Sequence, residues 1–545
     1  MIARVVTDVA GIDKEFDYLV PEGSEDRVEI GTEVRLPLGG RRVGGWVVDL
    51  PEAAPEGVKL RPLAKVRGVG PDAAMVDLCR WAAWRWAGKQ AWFLHTASAE
   101  GAVVTLPALT TPRMPARPLE TAVGLPPGAG VHVLELAPAT DPTPVVAAAA
   151  QLGPILVVVP SPARAAILAG RLRRAGADVA LLPGDWPRAR AGNASVVVGA
   201  RSAAFGPCPG LSSIVVLDAH DEALTAEGAP TWSAVTVLAE RARRSGVPLY
   251  ALTPSPTVEL LAHGPYHRQE RGGALAGWAM TEVLDRRDDD PRQGLWSTRV
   301  VDLARAAGKV AMVLNRTGRV RLLACSACGE LAHCEVCGAA VASPAPGTLH
   351  CDRCGHERPS VCARCGSTRL KNLRVGVRRA AEELAVLAGR PVGEVTASTA
   401  DLPVEDVLIG TEALLHRLDP TSGFATVVFV DFDQELLVPR VGAASQAMAL
   451  VARAARIVRG RTGRIVIQTR LPDHPVIRAA THADPTIALE GEGDLRRQLR
   501  LPPFASMALV YGDAAGPWVN DLKAVEVSGP DAAGRWMVRA GSHRA

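Results

Sequence analysis

The sequence contains no run of about twenty apolar residues, the length a membrane-crossing helix needs, so no transmembrane span is expected. Its first residues, MIARVVTDVAGIDKEF, mix charge with short apolar pairs and lack the apolar core of a secretory signal. Cysteine is scarce outside one stretch. Of ten in 545 residues, only Cys79 and Cys208 stand apart, and both read as ordinary buried thiols. That spacing excludes a disulfide-stapled secreted fold and points to a cytoplasmic protein, nucleoid-associated if it works on DNA. Neither sign of charge is in excess: a net +4 neither demands nor excludes a nucleic-acid partner. No internal repeat exists apart from short cysteine units. What is present is length for several domains, with a hydrophobic fraction of 48% to fill more than one core.

The first 68 residues read as short strands, RVVTDV, FDYLV, TEVRLPL and GGWVVDL, broken by turn signals. Residues 72–98 have helical period and carry Trp81, Trp84, Trp86 and Trp92, read as packing surface before base-stacking platform. A Pro/Gly-rich linker follows over 105–128. From about 129, apolar runs (VHVLEL, PILVVVP, ADVALL, ASVVVGA, SIVVLD, PLYALTP) alternate with alanine-rich helical stretches, the pattern of buried parallel strands with crossover helices. A second set (VAMVL, EDVLIG, ATVVFVDFD, GRIVIQT) follows the acidic segment DRRDDDPRQG. The expected fold is α/β: a small β-rich domain with its Trp-rich helix (1–104), a linker (105–128), lobe one (129–290), lobe two (291–324 and 367–490) interrupted by a cysteine-rich insertion (325–366), and a short C-terminal domain (491–545).

The insertion holds eight cysteines as four Cys-x-x-Cys pairs, each followed by glycine: Gly329, Gly338, Gly355 and Gly366. Each pair forms a knuckle that aims two thiolates at one ion, and glycine lets the backbone turn there. Eight thiolates make two closed four-cysteine sites, which have no open position for water and are therefore structural. Two zinc ions are expected. His333, His350 and His356 lie within the block and are read as bystanders. The longer loop GAAVASPAPGTLH between pairs two and three can form a hairpin that sets those pairs face to face and brings the outer pairs together. Nested sites follow: Cys325, Cys328, Cys362 and Cys365 on one ion, Cys334, Cys337, Cys351 and Cys354 on the other. Cross-bracing, first pair with third, is the alternative.

VLNRTGRVRLLACSACG, followed by three more cysteine pairs, resembles the PriA family of primosomal replication-restart helicases. FDYLVPEG, VVVGARSAAF, SIVVLDAHD, LTPSP, VLIGTEALL, VVFVDFD, IVIQTRLPDHP and LPPF agree with that family in order. The resemblance implies an N-terminal domain that binds DNA 3′ ends and two RecA-like helicase lobes with the zinc insertion in the second. It implies the nested zinc pairing too. It carries a 3′-end pocket over to Phe16, Asp17, Tyr18 and Gly39, with Arg61 near the family's lysine. It also implies as partners forked DNA with a 3′-hydroxyl, single-stranded DNA and primosome components, including the replicative helicase and single-stranded DNA-binding protein.

Departures from the family pattern cluster at the nucleotide site. Where a glycine-rich phosphate loop should stand, the chain reads LAPATDPTP: Pro142 replaces the lysine, and only Thr143 matches, at the magnesium-binding hydroxyl. The family's acidic box becomes Leu217-Asp218-Ala219-His220. His416-Arg417 replaces lysine-glycine, and the last motif helix keeps Arg453 and Arg456 but has alanines for glycines. Phosphoryl transfer depends on positioning and charge, so these losses lead to the expectation of degenerate lobes that bind no ATP and of a chain that is not an enzyme. The 105–128 linker is too short for the family's winged helix. The expected function is recognition of stalled or abandoned forks, with primosome assembly and helicase loading but without ATPase or helicase activity. An active ATP-dependent 3′–5′ helicase and a zinc-bound scaffold are the alternatives, the latter opposed by the surviving FDY segment.

Overall fold

Five strands, β1 (Ile2–Thr7), β2 (Glu15–Leu19), β3 (Glu33–Leu38), β4 (Arg41–Asp49) and β5 (Lys65–Gly68), form an antiparallel sheet in the order β2-β1-β4-β3-β5. Alternation along each strand sends Ala3, Val5, Tyr18, Val34, Leu36 and Val47 into one core, as a period of two requires. The sheet curls until its edges meet: Leu19 N–H donates to Arg61 O at 2.9 Å and Leu63 N–H to Leu19 O at 2.9 Å. These atoms belong to a computed structural model, which describes residues 1–9, 11–53, 59–118, 120–289, 294–314, 323–345, 347–372, 376–531 and 533–543.

The helical stretch after the barrel is two helices, where the sequence predicts one. Asp72 caps the first, Ala73–Arg85, by accepting from Met75 N–H. Ala87, at φ 48°, then ends it, and the second runs Gln90–Ala97. Gly88 allows the close turn, because a Cβ there would lie 3.1 Å from Pro230 Cγ. Trp81 packs edge-on against Trp86 at 5.6 Å, and Phe93 lies between Trp86 and Phe205. Those tryptophans are packing surface, whereas Trp84 and Trp92 are exposed.

Among the described residues, no helix or strand lies between Ala97 and Gly130. This strap is tied down: Asn193 accepts from Thr110 N–H and donates to Ala108 O, and Asp178 accepts from Arg113 N–H. Lobe one follows with β6 (Gly130–Glu135), β7 (Ile155–Val158), β8 (Val179–Leu181), β9 (Val196–Gly199), β10 (Ser213–Leu217), β11 (Pro248–Thr253) and β12 (Tyr266–His267), ordered β12-β6-β11-β10-β7-β9-β8. The central strands β7, β9 and β10 are buried throughout and pair in parallel, which is why they read as unbroken apolar runs. Crossover helices Pro162–Arg174 and Ala234–Ser245 carry serine N-caps, Ser161 and Ser233.

The barrel and lobe one form one compact unit; the second comprises residues 135–140, 254–259 and 269–545. Its sheet holds β13 (Met280–Asp285) and β14 (Val310–Val313), and, beyond the cysteine insertion, β20 (Gly393–Val395), β21 (Val407–Gly410), β22 (Thr426–Phe429) and β23 (Arg464–Thr469). The order is β13-β23-β22-β14-β21-β20, all parallel. The lobe boundary therefore falls before residue 290, since β13 pairs with β23. The half-exposed edge strand β13 lacks the apolar run that marks its central neighbours. The insertion carries β15 (Leu323–Cys325), β16 (Ala342–Ala345), β17 (Thr348–His350), β18 (Glu357–Pro359) and β19 (Leu370–Asn372). A three-stranded antiparallel sheet of β24 (Ser506–Val510), β25 (Glu526–Ser528) and β26 (Trp536–Ala540) ends the chain. No helix among the described residues is long and apolar enough to cross a membrane.

Candidate metal centres and nucleic-acid interface

The loop between the second and third cysteine pairs folds as the β16–β17 hairpin, and β15 pairs with β19 at the base. The thiols gather into two groups, Cys325 with Cys328, Cys362 and Cys365, and Cys334 with Cys337, Cys351 and Cys354. This is the nested arrangement. Within each group all sulfurs lie within 4.8 Å of one another, and facing sulfurs stand at 3.5–3.6 Å. A tetrahedron with metal–sulfur bonds of about 2.3 Å has sulfur–sulfur edges of about 3.8 Å, so both groups fit an ion such as zinc. Each knuckle is closed by its glycine, whose N–H donates to the first cysteine's carbonyl at 2.8–3.0 Å with φ of 72–77°. A side chain is strained at that φ, which explains the glycine after every pair. The second group is walled by Leu323, Ala332, Ala339, Val341 and Leu349, whereas Cys365 of the first is exposed. No histidine joins either group: His350 faces Glu357, and His333 contacts Leu331 O. Cys79 and Cys208 are buried away from both, and burial pushes the Cys208 thiol up to about 11.

Two arginines of the insertion went unread in the sequence. Arg353, between Cys351 and Cys354, donates to Cys337 O and Val438 O, and Arg358 donates to Val361 O and His333 O. Arginine placed between the cysteines of a knuckle was the available signal. The asparagine-arginine-x-glycine segment, Asn315 to Gly318, lies outside the described residues, as do residues 290–293 of the acidic segment.

At the barrel, strand alternation divides the expected pocket. Phe16 and Tyr18 face the core, Phe16 opposite Val5, while Asp17 faces outward opposite Arg4. Arg4 holds the Asp17 carboxylate with two hydrogen bonds, at 2.9 and 3.2 Å, and also reaches Asp49. Tyr18 is buried, but its hydroxyl donates to Pro37 O at 3.0 Å, two residues before Gly39. Burial raises the Tyr18 phenol's pKa, and nearby Arg61 acts in the opposite direction. Tyr18, Gly39 and Arg61 thus gather at one rim of the barrel, with Asp17 on the outer wall of the same strand.

In lobe one, Pro142 precedes helix Thr143–Ala150, and Asp141 accepts from both Thr143 N–H and its hydroxyl, at 3.0 and 2.7 Å. Leu217 ends β10 and is buried. Asp218, at φ 50°, pairs with Arg164, and His220 bonds the Thr253 hydroxyl at 3.0 Å. In the second unit, Arg453 reaches His416 and Arg456 donates to Pro138 O.

Residues 4–98, the barrel and both helices, match the model of the PriA 3′DNA-binding domain (3′BD). Replication restart protein PriA of Thermotoga maritima is 26% identical over 64% of this chain and 51% of its own length. Its Bacillus subtilis namesake is 27% identical over 60% of this chain and 44% of its own. Over most of its length the chain is similar to proteins named replication restart protein PriA. It spans about half the length of those two relatives, whereas a probable PriA of Mycobacterium bovis, 27% identical, matches over 96% of this chain and 88% of its own length. Among solved structures, S. cerevisiae Dbp5 bound to RNA and ADP BeF3 has a TM-score of 0.36 at 12% identity, over 65% of this chain and 83% of Dbp5. A Dbp5 variant bound to the same ligands scores 0.37 at 11% identity, over 68% and 88%.

One expectation is withdrawn: the reading of the chain as not an enzyme does not stand. It rested on altered motif residues alone. β6 still leads through a loop into helix Thr143–Ala150, although Pro142 and Pro144 carry no N–H there and Asp141 holds that of Thr143.

Proposed function

We propose that this chain serves replication restart by recognising DNA 3′ ends at stalled or abandoned forks, where primosome components, the replicative helicase among them, are then assembled. The observation that carries this reading is the match of residues 4–98 to a 3′DNA-binding domain, on a barrel whose rim gathers Tyr18, Gly39 and Arg61. The ring of Phe16, half-buried on the same strand as Tyr18, can stack on the terminal base, worth about 1–3 kcal/mol. A carboxylate such as Asp17 accepts a hydrogen bond from a free 3′-hydroxyl, which a 3′-phosphate cannot donate. Two zinc ions in the four-cysteine groups would keep the insertion folded against lobe two, leaving the lobes to engage the adjoining DNA. Fluorescence anisotropy with forks ending in a 3′-hydroxyl or a 3′-phosphate at the junction tests the reading. Tighter binding of the hydroxyl fork is expected. Equal affinity for both would overturn recognition of the end.

A further inference from the structure

The β3–β4 connection is a two-residue hairpin with Gly39 at φ 55° and Gly40 at φ 78°. Two successive left-handed residues make the turn whose twist matches the flanking strands, and glycine adopts it without strain. Open space surrounds the tip, since a Cβ added at either glycine would meet nothing within 4 Å. The next two residues are Arg41 and Arg42, both exposed.

The other arginines on these strands have acidic neighbours. Arg4 pairs with Asp17 and Asp49, Arg67 with Glu33, and Arg35 also lies within electrostatic reach of Glu33. Among the described residues Arg41 and Arg42 have neither an ion pair nor a side-chain hydrogen bond. Asp8 is fastened further down the hairpin, where its N–H donates to Gly44 O, and bonds neither arginine.

Register fixes where the two stand. Arg41 lies opposite Leu38 and Arg42 opposite Pro37. Leu38 and Val43 pack against the barrel core beside Phe16 and Tyr18, so alternation puts Arg41 on that face, at the barrel's mouth. Arg42 falls on the outer face, opposite the residue whose carbonyl accepts the Tyr18 hydroxyl. With Arg61 beside Tyr18, one rim carries three cations, and two of them are left without a protein partner.

We infer that this hairpin tip is a phosphate-binding site for the DNA strand whose 3′ end the domain holds, with Arg41 and Arg42 as its contacts. The inference rests on the 3′-end reading and adds the backbone half of the recognition. A terminal base seated at the rim puts the preceding phosphates within a few ångströms of it. Unpaired guanidiniums can take them without first breaking a protein ion pair. Such contacts position the strand and carry no sequence information.

The experiment measures binding of full-length protein to a single strand ending in a 3′-hydroxyl, and to its 3′-phosphate counterpart, from 50 to 200 mM salt. Wild type is compared with Arg41→Gln, Arg42→Gln, the double variant and Arg35→Gln. Each phosphate contact contributes about −0.7 to the slope of log affinity against log salt on single strands. Each single variant should flatten the slope by about that amount, and so lose about threefold less affinity across the series than wild type. The double variant should add the two effects, Arg35→Gln should keep the wild-type slope, and preference for the hydroxyl end should persist throughout. A double variant with the wild-type slope and an unchanged melting temperature would overturn the phosphate site. Slope changes as expected, in a wild type indifferent to the end group, would uphold the phosphate site and overturn the 3′-end reading instead.

Discussion

Arg353 donates to the Val438 carbonyl of lobe two at 2.8 Å while its other amino group holds the Cys337 carbonyl at 3.2 Å. One guanidinium therefore joins a cysteine knuckle to the lobe beneath. Ala340 N–H donates to Leu437 O at 2.6 Å beside it, and Ala324, Leu331, Ala340 and Leu437 form a small shared core. Arg353→Ala leaves two carbonyls without their donor, which should cost about 1–3 kcal/mol at this junction. Lysine cannot span both acceptors, so Arg353→Lys should not restore it. Hydrogen exchange should rise at residues 437–441 while metal content stays at the wild-type value. Unchanged exchange would show that the apolar contacts alone dock the insertion.

Metal content gives a second test. Two zinc ions per chain are expected, with one lost in Cys337→Ser and the other in Cys365→Ser. The first group, which includes exposed Cys365, should yield its ion to a chelator before the walled second group. Release followed with a colorimetric zinc indicator should be biphasic, one ion in each phase. Structural zinc contributes about 10–16 kcal/mol of apparent folding free energy in small zinc domains, so removing the second ion should unfold the insertion. A single ion per chain would rule out the two-site arrangement.

Much of the fold is legible in the sequence. Buried parallel strands such as Ile155–Val158 announce themselves as apolar runs because both faces are covered, and the knuckle glycines follow from a φ that only glycine adopts freely. Edge strand β13 was missed because it is half-exposed and carries no such run. The helix break at Ala87 was missed because contacts made far away in sequence, at Pro230, override local helical period. The division of Phe16 and Tyr18 from Asp17 is implicit in strand alternation, but the partners, Pro37 for Tyr18 and Arg4 for Asp17, come only from pairing register.

Lobe two holds a buried carboxyl and a half-buried imidazole that titrate in opposite senses. Burial, with Asp431 nearby, pushes the Asp433 carboxyl up to about 7, although it accepts from the Thr469 hydroxyl and Arg470 N–H. Burial, aided by Arg353 and Arg478, pushes His474 down to about 4. Between about pH 4 and 7 the folded state keeps a proton on Asp433 that the unfolded chain releases, so stability falls as pH rises. Between about pH 4 and 6.5 the unfolded chain protonates His474 and the folded state does not, so stability falls as pH drops. Each contributes about 1.4 kcal/mol per pH unit, and in wild type the two largely cancel. Asp433→Asn should expose the His474 dependence, with the denaturant midpoint falling on acidification. His474→Asn, which keeps an acceptor for Val476 N–H, should expose the opposite slope. Two flat profiles would show that neither group is held as described.

Asp17 and Arg4 face each other across β1 and β2, and the pair decides whether the outer wall of the barrel reads the DNA end. The Arg4 side chain is 34% exposed but that of Asp17 only 9%, so loss of the pair also costs folding stability, and only a variant that melts near the wild-type temperature informs on binding. A binding defect can then be assigned to the DNA contact and not to the fold. A hydrogen bond from a 3′-hydroxyl to a carboxylate is worth about 1.5–3 kcal/mol, so Asp17→Ala should weaken binding of 3′-hydroxyl forks roughly ten- to hundredfold. Forks ending in 3′-phosphate offer no such donor and should bind Asp17→Ala as they bind wild type. Arg4→Gln keeps the carboxylate but frees it to rotate, so it should cost less than Asp17→Ala and on the same substrate only. Anisotropy titrations of both forks against the three proteins separate these outcomes. Equal losses on the two forks would mean that Asp17 supports the barrel wall and that the end is read by the rim residues alone.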